Sequence, residues 1–490
     1  MKLVVRADAS LQMGAGHVMR CLALALAAKA REIDVHMICR LEVPWLQKRL
    51  SAERIPLTKL HGEPPVREKP AGLVRDVLCA AQGKKPAQCW VVLDGYHFDI
   101  DCQRAVRNAG FRLLVIDDYA HLPEYACDIL LNQNLGAEEL TYKGSIGKKL
   151  LGLRYVLLRP EFGAARLEAE KRTLPKSPQK VLITLGGGDF SKFLQELAPS
   201  LTSPQLRGRT LRIIAGGMSE EVIRQCLRDC PADIEILHNV RDMPALLLDT
   251  DVCITAGGST CWELCCLGVP LYVVQMAENQ HYVVRELVQK GLGTLYCGLD
   301  SVLEDEGSPQ MRDRQMRFVH PNAADKLLTV MDALCGLEIT PVSQDDCQQV
   351  LCIANDPAVR ATAFSTASIA QEEHEYWFAR RLTLPFSPFY IVRLRGEVLG
   401  YMRFDAEADC HIATVAVVPR YRDLGLGREL ISRCCVLAAN EGVGSVHAWI
   451  KEDNICSMRA FLAAGFCKKQ ATYYKGAMAV LCVWRAGLLC

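Results

Sequence analysis

Runs of consecutive apolar residues, separated by longer stretches with helical spacing, dominate the first two thirds of the chain. Residues 3–8, 34–40, 90–96, 113–118 and 129–132 read as strands. Their apolar character is continuous rather than alternating, as in strands buried on both faces. Helical patterns lie between them, which predicts an α/β unit with a parallel sheet. The stretch 151–175 changes character: Arg154-Tyr155, Arg159-Pro160, Pro175 and Pro178 predict a crossover into a second unit. Strand-like runs resume at 180–185, 211–215, 234–237, 252–255 and 271–275, and a helix at 322–334 closes this unit. Three of these strands end in glycine clusters, Gly186-Gly187-Gly188, Gly216-Gly217 and Gly257-Gly258, which predicts strand-to-helix turns lining one crevice.

The pattern then changes again. Runs at 389–395 and 398–405 flank Arg395-Gly396-Glu397 and read as an antiparallel hairpin. A strand at 411–418, a helix at 427–440, a strand at 446–450, a helix at 457–464 and a strand at 478–484 complete an α+β region. The expected architecture is two Rossmann-like α/β units, 1–155 and 156–335, followed by an α+β domain, 338–490.

Composition narrows the class. The chain has 490 residues, 50% apolar and 23% charged, with a formal net charge of +1. That balance gives no electrostatic case for nucleic acid or an anionic membrane surface. The start, Met1-Lys2-Leu3-Val4-Val5-Arg6, is charged too early for a signal peptide, and no apolar run approaches the ~18 residues that span a bilayer. The 23 cysteines are scattered, with no Cys-x-x-Cys pair and no framework spacing. A reducing, cytoplasmic setting is expected. Cys261 and Cys265 stand four apart on a helix but lack a third ligand nearby, so no metal site is expected. Oligomeric state is not legible.

Chemistry concentrates at three places. Directly after the first strand, Gly14-Ala15-Gly16-His17-Val18-Met19-Arg20 opens a helix. The glycines let a ligand approach the backbone, the free helix N-terminus favours an anion, and His17 supplies an imidazole that exchanges protons near neutrality. Arg20 lies on the same helical face. Asp94-Gly95-Tyr96 and Asp117-Asp118-Tyr119 end neighbouring strands, where α/β crevices bind ligands; simple N-capping is the alternative for both aspartates. The second place is Gly257-Gly258-Ser259-Thr260-Cys261-Trp262-Glu263, followed by Asn279-Gln280. There the glycines and helix amides suit a pyrophosphate. Glu263 suits ribose hydroxyls, and the Asn-Gln pair suits sugar or phosphate oxygens.

Two α/β units with Gly-Gly-x-Thr-x-x-Glu and a later Asn-Gln resemble nucleotide-sugar enzymes of the GT-B type, whose second unit holds UDP. The start, Arg6-Ala7-Asp8-Ala9-Ser10 with Gly14-x-Gly16-His17-Val18-Met19-Arg20-Cys21, is more specific. With Asp94-x-Tyr96, Leu158-Arg159-Pro160-Glu161-Phe162 and Leu185-Gly186-Gly187, it resembles the UDP-2,4-diacetamido-2,4,6-trideoxy-β-L-altropyranose hydrolases of pseudaminic acid biosynthesis, over about residues 1–335. The resemblance implies removal of UDP from a sugar without a metal, with His17 as general base. It implies substrate contacts at Gly14, Gly16, Arg20, Asp94, Tyr96, Gly186, Gly187, Gly257, Gly258, Ser259, Thr260, Glu263, Asn279 and Gln280.

The third place is Val417-Val418-Pro419-Arg420-Tyr421-Arg422-Asp423-Leu424-Gly425-Leu426-Gly427, where an Arg-x-x-Gly-x-Gly loop between strand and helix makes an amide bowl for a pyrophosphate. With Asn454-x-x-Ser457, Phe461 and Gly465-Phe466 it resembles the GNAT acyl-CoA N-acetyltransferases, over about residues 338–490. The resemblance implies acetyl-CoA as cosubstrate, held at Val417, Arg422, Gly425, Gly427, Asn454 and Ser457. One departure stands out. Family members often carry a tyrosine at the position of Phe461 to protonate the departing thiolate; Tyr473, Tyr474 or water are the candidates to replace it.

Together the resemblances imply a bifunctional nucleotide-sugar enzyme: N-acetylation of the 4-amine of a UDP-amino sugar, then hydrolysis of the UDP-2,4-diacetamido sugar. The alternative is a GT-B glycosyltransferase using a UDP-amino sugar, with a GNAT domain that acts on another amine or only binds CoA.

Overall fold

The computed structural model describes residues 1–10, 13–186, 190–238, 240–304 and 308–487, with the backbone alone at positions 44, 279 and 308. Residue contacts group into two units, Met1–Leu328 and Thr329–Cys490.

The first unit contains two parallel sheets. The first has seven strands: β1 (Lys2–Ala7), β2 (Asp34–Arg40), β3 (Leu57–Leu60), β4 (Cys89–Asp94), β5 (Arg112–Ile116), β6 (Tyr125–Asn132) and β7 (Gly144–Leu151). They run in the order β3-β2-β1-β4-β5-β6-β7. β1 and β4 are buried at every position, which is why their sequences are continuous apolar runs. The second sheet has β8 (Lys180–Thr184), β9 (Thr210–Ile214), β10 (Asp233–Leu237), β11 (Val252–Ala256), β12 (Leu271–Val274) and β13 (Thr294–Leu295), ordered β10-β9-β8-β11-β12-β13.

Both orders reverse direction once, between β1 and β4 and between β8 and β11. At such a switch point the connections leave to opposite faces, and the carboxyl ends of the two central strands open a crevice. The predicted glycine turns stand there: Gly14–His17 follows β1, Asp94–Tyr96 follows β4, Gly186 follows β8, and Gly257–Thr260 follows β11.

β3, β7 and β13 were not expected from the sequence. β7 is an edge strand with four of its eight positions exposed and a single buried one near its end, so it lacks an apolar run. Gly144 and Gly147 take it close to its neighbour: a Cβ there would stand 2.2 Å from the Tyr125 carbonyl oxygen and 2.7 Å from that of Asp128. The 151–175 stretch is a crossover, as expected. Its helix, Glu161–Lys171, buries Phe162 and Ala165 in one core with Trp262, Leu264 and Leu267 beneath the second sheet.

The second unit is built on a seven-stranded sheet of β14 (Glu338–Pro341), β15 (Phe389–Leu394), β16 (Glu397–Glu407), β17 (Cys410–Val417), β18 (Ser445–Lys451), β19 (Cys467–Tyr474) and β20 (Ala477–Arg485). Its order is β14-β15-β16-β17-β18-β20-β19. β15 and β16 form the expected hairpin, with Arg395 and Gly396 at positive φ in its turn. β19 was not foreseen, because seven of its eight residues carry polar or exposed side chains. All pairs are antiparallel except β17 and β18, which run parallel and pair only at His411–Val446 and Ile412–His447. Beyond those residues they diverge.

Phe162 is fully buried. Replacing it with alanine leaves a ring-sized cavity, so Phe162→Ala is expected to lower unfolding free energy by about 3–5 kcal/mol, read from the urea midpoint of the purified chain.

Candidate active sites

His17 is the second residue of the helix Gly16–Ala30, whose N-cap, Ala15, offers no side-chain cap and whose first turn carries no acidic residue. The first-turn amides therefore keep their partial positive charge for a ligand. Gly14 needs to be glycine for its φ of +76°, and a Cβ at Gly14 or Gly16 would meet nothing within 4 Å. The loop is thus open on its outer side.

The His17 side chain is fixed from below. Its Nδ1 lies 2.7 Å from Asp94 Oδ1. Asp94 is completely buried and also accepts from Arg20 Nε and Nη2, both at 2.6 Å, and from the Cys21 thiol at 3.4 Å. Burial opposes the Asp94 charge, but the adjacent Arg20 and His17 outweigh it and hold its pKa below the usual carboxylate range. An ionised carboxylate can only accept, so the Asp94 contact is made when Nδ1 carries a proton; Arg20 Nη2 also approaches Nδ1, at 3.2 Å. Among the described residues Nε2 has no hydrogen-bond partner. This is the orientation a general base requires.

Arg20 is held on its other side by Asp118, at 2.6 Å from Nη1 and 3.0 Å from Nη2. Asp118 in turn accepts from the Tyr96 hydroxyl at 2.8 Å and from Asn134 Nδ2 at 2.8 Å. The Tyr96 ring returns to His17, edge to face at 5.2 Å. Asp117 faces away and accepts from the backbone of Tyr119 and Ala120, from His121 Nδ1 and from the Tyr125 hydroxyl, which fixes the turn that presents Asp118. Asp94 and Arg20 were expected to touch substrate. In the structure they bind each other, and Asp94 also binds His17. Asp118 was noticed only as a strand end; no sequence signal paired it with Arg20, 98 residues away.

One further polar cluster lies beneath β1. Among the described residues, Asp8, Glu68 and His97 form the one group with the spacing of a metal site. Arg6 and Arg40 each pair with both carboxylates, which balances the two negative charges without a cation.

At the second sheet, Gly257 is required by packing: a Cβ would stand 2.7 Å from Val284 Cγ2. Gly258 faces open space and Gly186 takes a φ of +93°. Ser259 and Thr260 open the helix Thr260–Leu267 without capping it. Glu263, in its first turn, receives Arg159 Nη2 at 3.2 Å. Burial raises the Glu263 pKa and the arginine opposes that rise. Gln280 Oε1 accepts from the Met276 amide at 3.0 Å. Gly187 and the side chain of Asn279 lie outside the described residues. Arg159 was quoted only within a motif; its ion pair with Glu263 spans 104 residues and has no local signature.

In the second unit the divergence of β17 and β18 opens a cleft of about 530 Å³ lined by Thr414, Trp449, Asn454, Ser457, Phe461 and Tyr474. Gly425 caps the helix Leu426–Asn440 in the left-handed conformation, with no side chain over its first amides. Gly427, in the first turn of this helix, faces Ala460 with room for ordinary contact, 3.7 Å from a notional Cβ. Asn454 caps the helix Ile455–Ala463 through the Ser457 amide at 3.1 Å. Arg422 differs from expectation: Nε donates to the Val417 carbonyl and Nη2 to Asp356, so its guanidinium ties down the loop and its side chain is not offered to a phosphate. Phe461 is buried against Phe466. Tyr474 stacks on Trp449 at 4.4 Å inside the cleft, whereas Tyr473 is 71% exposed and donates to Gly476. No helix among the described residues is long and apolar enough to cross a membrane.

The acetyltransferase (GNAT) family matches residues 357–466, so the second unit contains a GNAT domain. The first unit resembles three curated proteins. One is an uncharacterised protein of Methanocaldococcus jannaschii, 25% identical over 298 residues, 59% of each chain. Another is the spore coat polysaccharide biosynthesis protein SpsG of Bacillus subtilis, 30% identical over 158 residues, 32% of this chain and 45% of that protein. The third is the UDP-2,4-diacetamido-2,4,6-trideoxy-β-L-altropyranose hydrolase of Campylobacter jejuni, 24% identical over 311 residues, 60% of this chain and 99% of the hydrolase. The matches thus span about half the length of the first two relatives and nearly all of the third.

Asp8, Asp94, Asp117 and Asp118 all have depressed pKa values, because their arginine, histidine and tyrosine partners outweigh burial. A depressed carboxylate stabilises the fold above its unfolded pKa and loses that contribution as pH falls toward its folded value. The first unit is expected to keep full stability above about pH 4 and to lose up to about 1.4 kcal/mol per pH unit per carboxylate below it. Thermal melts across pH 2–7 check this; a flat response below pH 4 contradicts it.

Proposed function

We propose that the first unit hydrolyses a UDP-sugar of the UDP-2,4-diacetamido-2,4,6-trideoxy-β-L-altropyranose type, and that the GNAT domain acetylates the 4-amine of its UDP-amino sugar precursor from acetyl-CoA. The observation that carries the first half is the His17–Asp94 pair: a buried carboxylate fixes one imidazole nitrogen and leaves the other unpartnered beside an uncapped helix N-terminus. The named activity of the Campylobacter relative supports the choice of substrate.

In this reading the second sheet's turn at 257–263 holds the nucleotide diphosphate through backbone amides, with Glu263 and Gln280 at the sugar oxygens. His17 Nε2 accepts a proton from water as the water oxygen attacks the anomeric carbon. The C–O bond to the diphosphate breaks, and UDP leaves with that electron pair. Asp94 keeps the imidazolium paired as it forms, and helix amides stabilise the departing diphosphate. The GNAT half rests on the cleft between β17 and β18 and the left-handed Gly425 cap. There the amides of Leu426 and Gly427 would face the acetyl-CoA pyrophosphate. The amine nitrogen attacks the thioester carbon and gives up a proton to water, the C–S bond breaks, and Tyr474, whose ring lines the cleft, is the candidate hydroxyl to protonate the departing thiolate.

Purified chain given acetyl-CoA and the UDP-amino sugar, each alone and together, is expected to yield UDP and the free diacetamido sugar in buffer. Mass spectrometry reads the products; UDP release only with a sugar acceptor would favour a glycosyltransferase. His17→Ala is expected to lower UDP release by about 10²–10⁴-fold with UDP binding retained, and near-wild-type turnover would falsify the assignment. In the GNAT reaction Tyr474→Phe is expected to lower kcat by about tenfold or more with the KM for acetyl-CoA unchanged, while Tyr473→Phe leaves both as they are.

A further inference from the structure

Asp94 has two positive partners in prospect, and one of them works against the other. Arg20 contacts both of its oxygens at 2.6 Å. An arginine so close neutralises the carboxylate, and a neutralised carboxylate gives little electrostatic support to an imidazolium. A base oriented by Asp94 and Arg20 alone would be well placed but poorly prepared to keep a proton. The second carboxylate changes this count. Asp118 takes both terminal nitrogens of Arg20, so two carboxylates share one guanidinium and the cluster carries one net negative charge while His17 is neutral.

We propose that Asp118 is a positioning residue for the first unit's reaction: by engaging Arg20 it restores to Asp94 the charge that His17 needs when it takes a proton. The network is closed, since His17 meets Asp94, Asp94 meets Arg20, Arg20 meets Asp118, Asp118 meets the Tyr96 hydroxyl, and the Tyr96 ring meets His17. Among the described residues, the groups facing His17 are Asp94 and Tyr96 from the end of β4, Arg20 and Cys21 from its own helix, and Asp118 from the end of β5. Tyr119 and His121 lie behind Tyr96, at 5.2 and 5.3 Å from its ring. Asn134 Nδ2 donates to Asp118 Oδ1, the oxygen that also accepts from Arg20 Nη1. The role of Asp118 in turnover rests on the hydrolase reading; its effect on His17 does not.

The test is the titration of His17, followed by NMR in chain labelled at its 11 histidines and assigned by the signal missing from His17→Asn. Asp118→Asn keeps an acceptor for Arg20 and removes the charge. Losing a nearby negative charge makes the imidazolium less favourable, so the His17 midpoint is expected to fall by about one pH unit. The acid limb of the pH profile for UDP release should move to lower pH by the same amount. KM should stay within about twofold. Asp118→Glu, which returns the charge, should recover most of the shift. A midpoint within about 0.2 unit of wild type, or one that rises, overturns the proposal. If Asp118→Asn does not fold, Asn134→Ala strips a neutral donor from Asp118 and leaves its charge; the midpoint should then hold or rise, and a fall overturns the proposal. A wild-type chain that releases no UDP would sink the hydrolase reading, while the NMR shift still decides the role of Asp118.

Discussion

The arrangement of the first unit depends on a single buried charge. Asp94 is completely excluded from solvent, and an ionised carboxylate in that position is costly unless its lone pairs are filled. The chain fills them from the helix after β1, with His17, Arg20 and Cys21. This choice sets the register of that helix against β4. Residues at helix positions 17, 20 and 21 lie on one face, and that face is directed at the end of the neighbouring strand. Had β1 and β4 not been adjacent, the loop glycines would have no reason to present His17 where they do. The sheet order and the proposed chemistry are therefore two consequences of one topological switch point.

The two units leave helix amides uncapped with different backbone. In the first unit, parallel strands end together and helices begin from glycine turns, so amides accumulate at one edge of the sheet. In the GNAT domain the same amide source comes from a strand pair that separates. β17 and β18 share only two residue pairs before diverging, and the gap exposes backbone and side chains of both strands. The loop that follows β17 is stiffened by Arg422, which grips the Val417 carbonyl and Asp356. A guanidinium used this way costs a direct phosphate contact and contributes a fixed loop. That exchange suits a site in which amide geometry, rather than side-chain charge, does the recognition.

Much of this was legible in the chain because it is written locally. Continuous apolar runs gave the central strands, glycine clusters marked the turns, and both lie within a few residues of the features they create. The edge strands β7 and β19 escaped because strands with a wet face carry no apolar run. The site was legible as a set of residues but not as a circuit. His17, Arg20, Asp94 and Tyr96 stand out near strand ends, yet nothing in their spacing says that Asp94 and Arg20 are spent on each other. Asp118 and Arg159 were harder still, since their partners lie 98 and 104 residues away and only the fold brings them together.

The same distinction bears on how the first unit can vary without losing its character. Gly16 and Gly258 face open space among the described residues, whereas Gly14 is held by its φ of +76° and Gly257 by Val284 inside the protein. A side chain at Gly16 or Gly258 meets no neighbouring atom, whereas one at Gly14 strains the backbone and one at Gly257 moves the packing first. The carboxylates divide in the same way. Asp117 is saturated by its own turn and by Tyr125, so its charge is spent on structure. Asp94 and Asp118 instead share one arginine, and Asp94 reaches on to His17, so their charges are joined through the helix after β1 rather than closed within one turn.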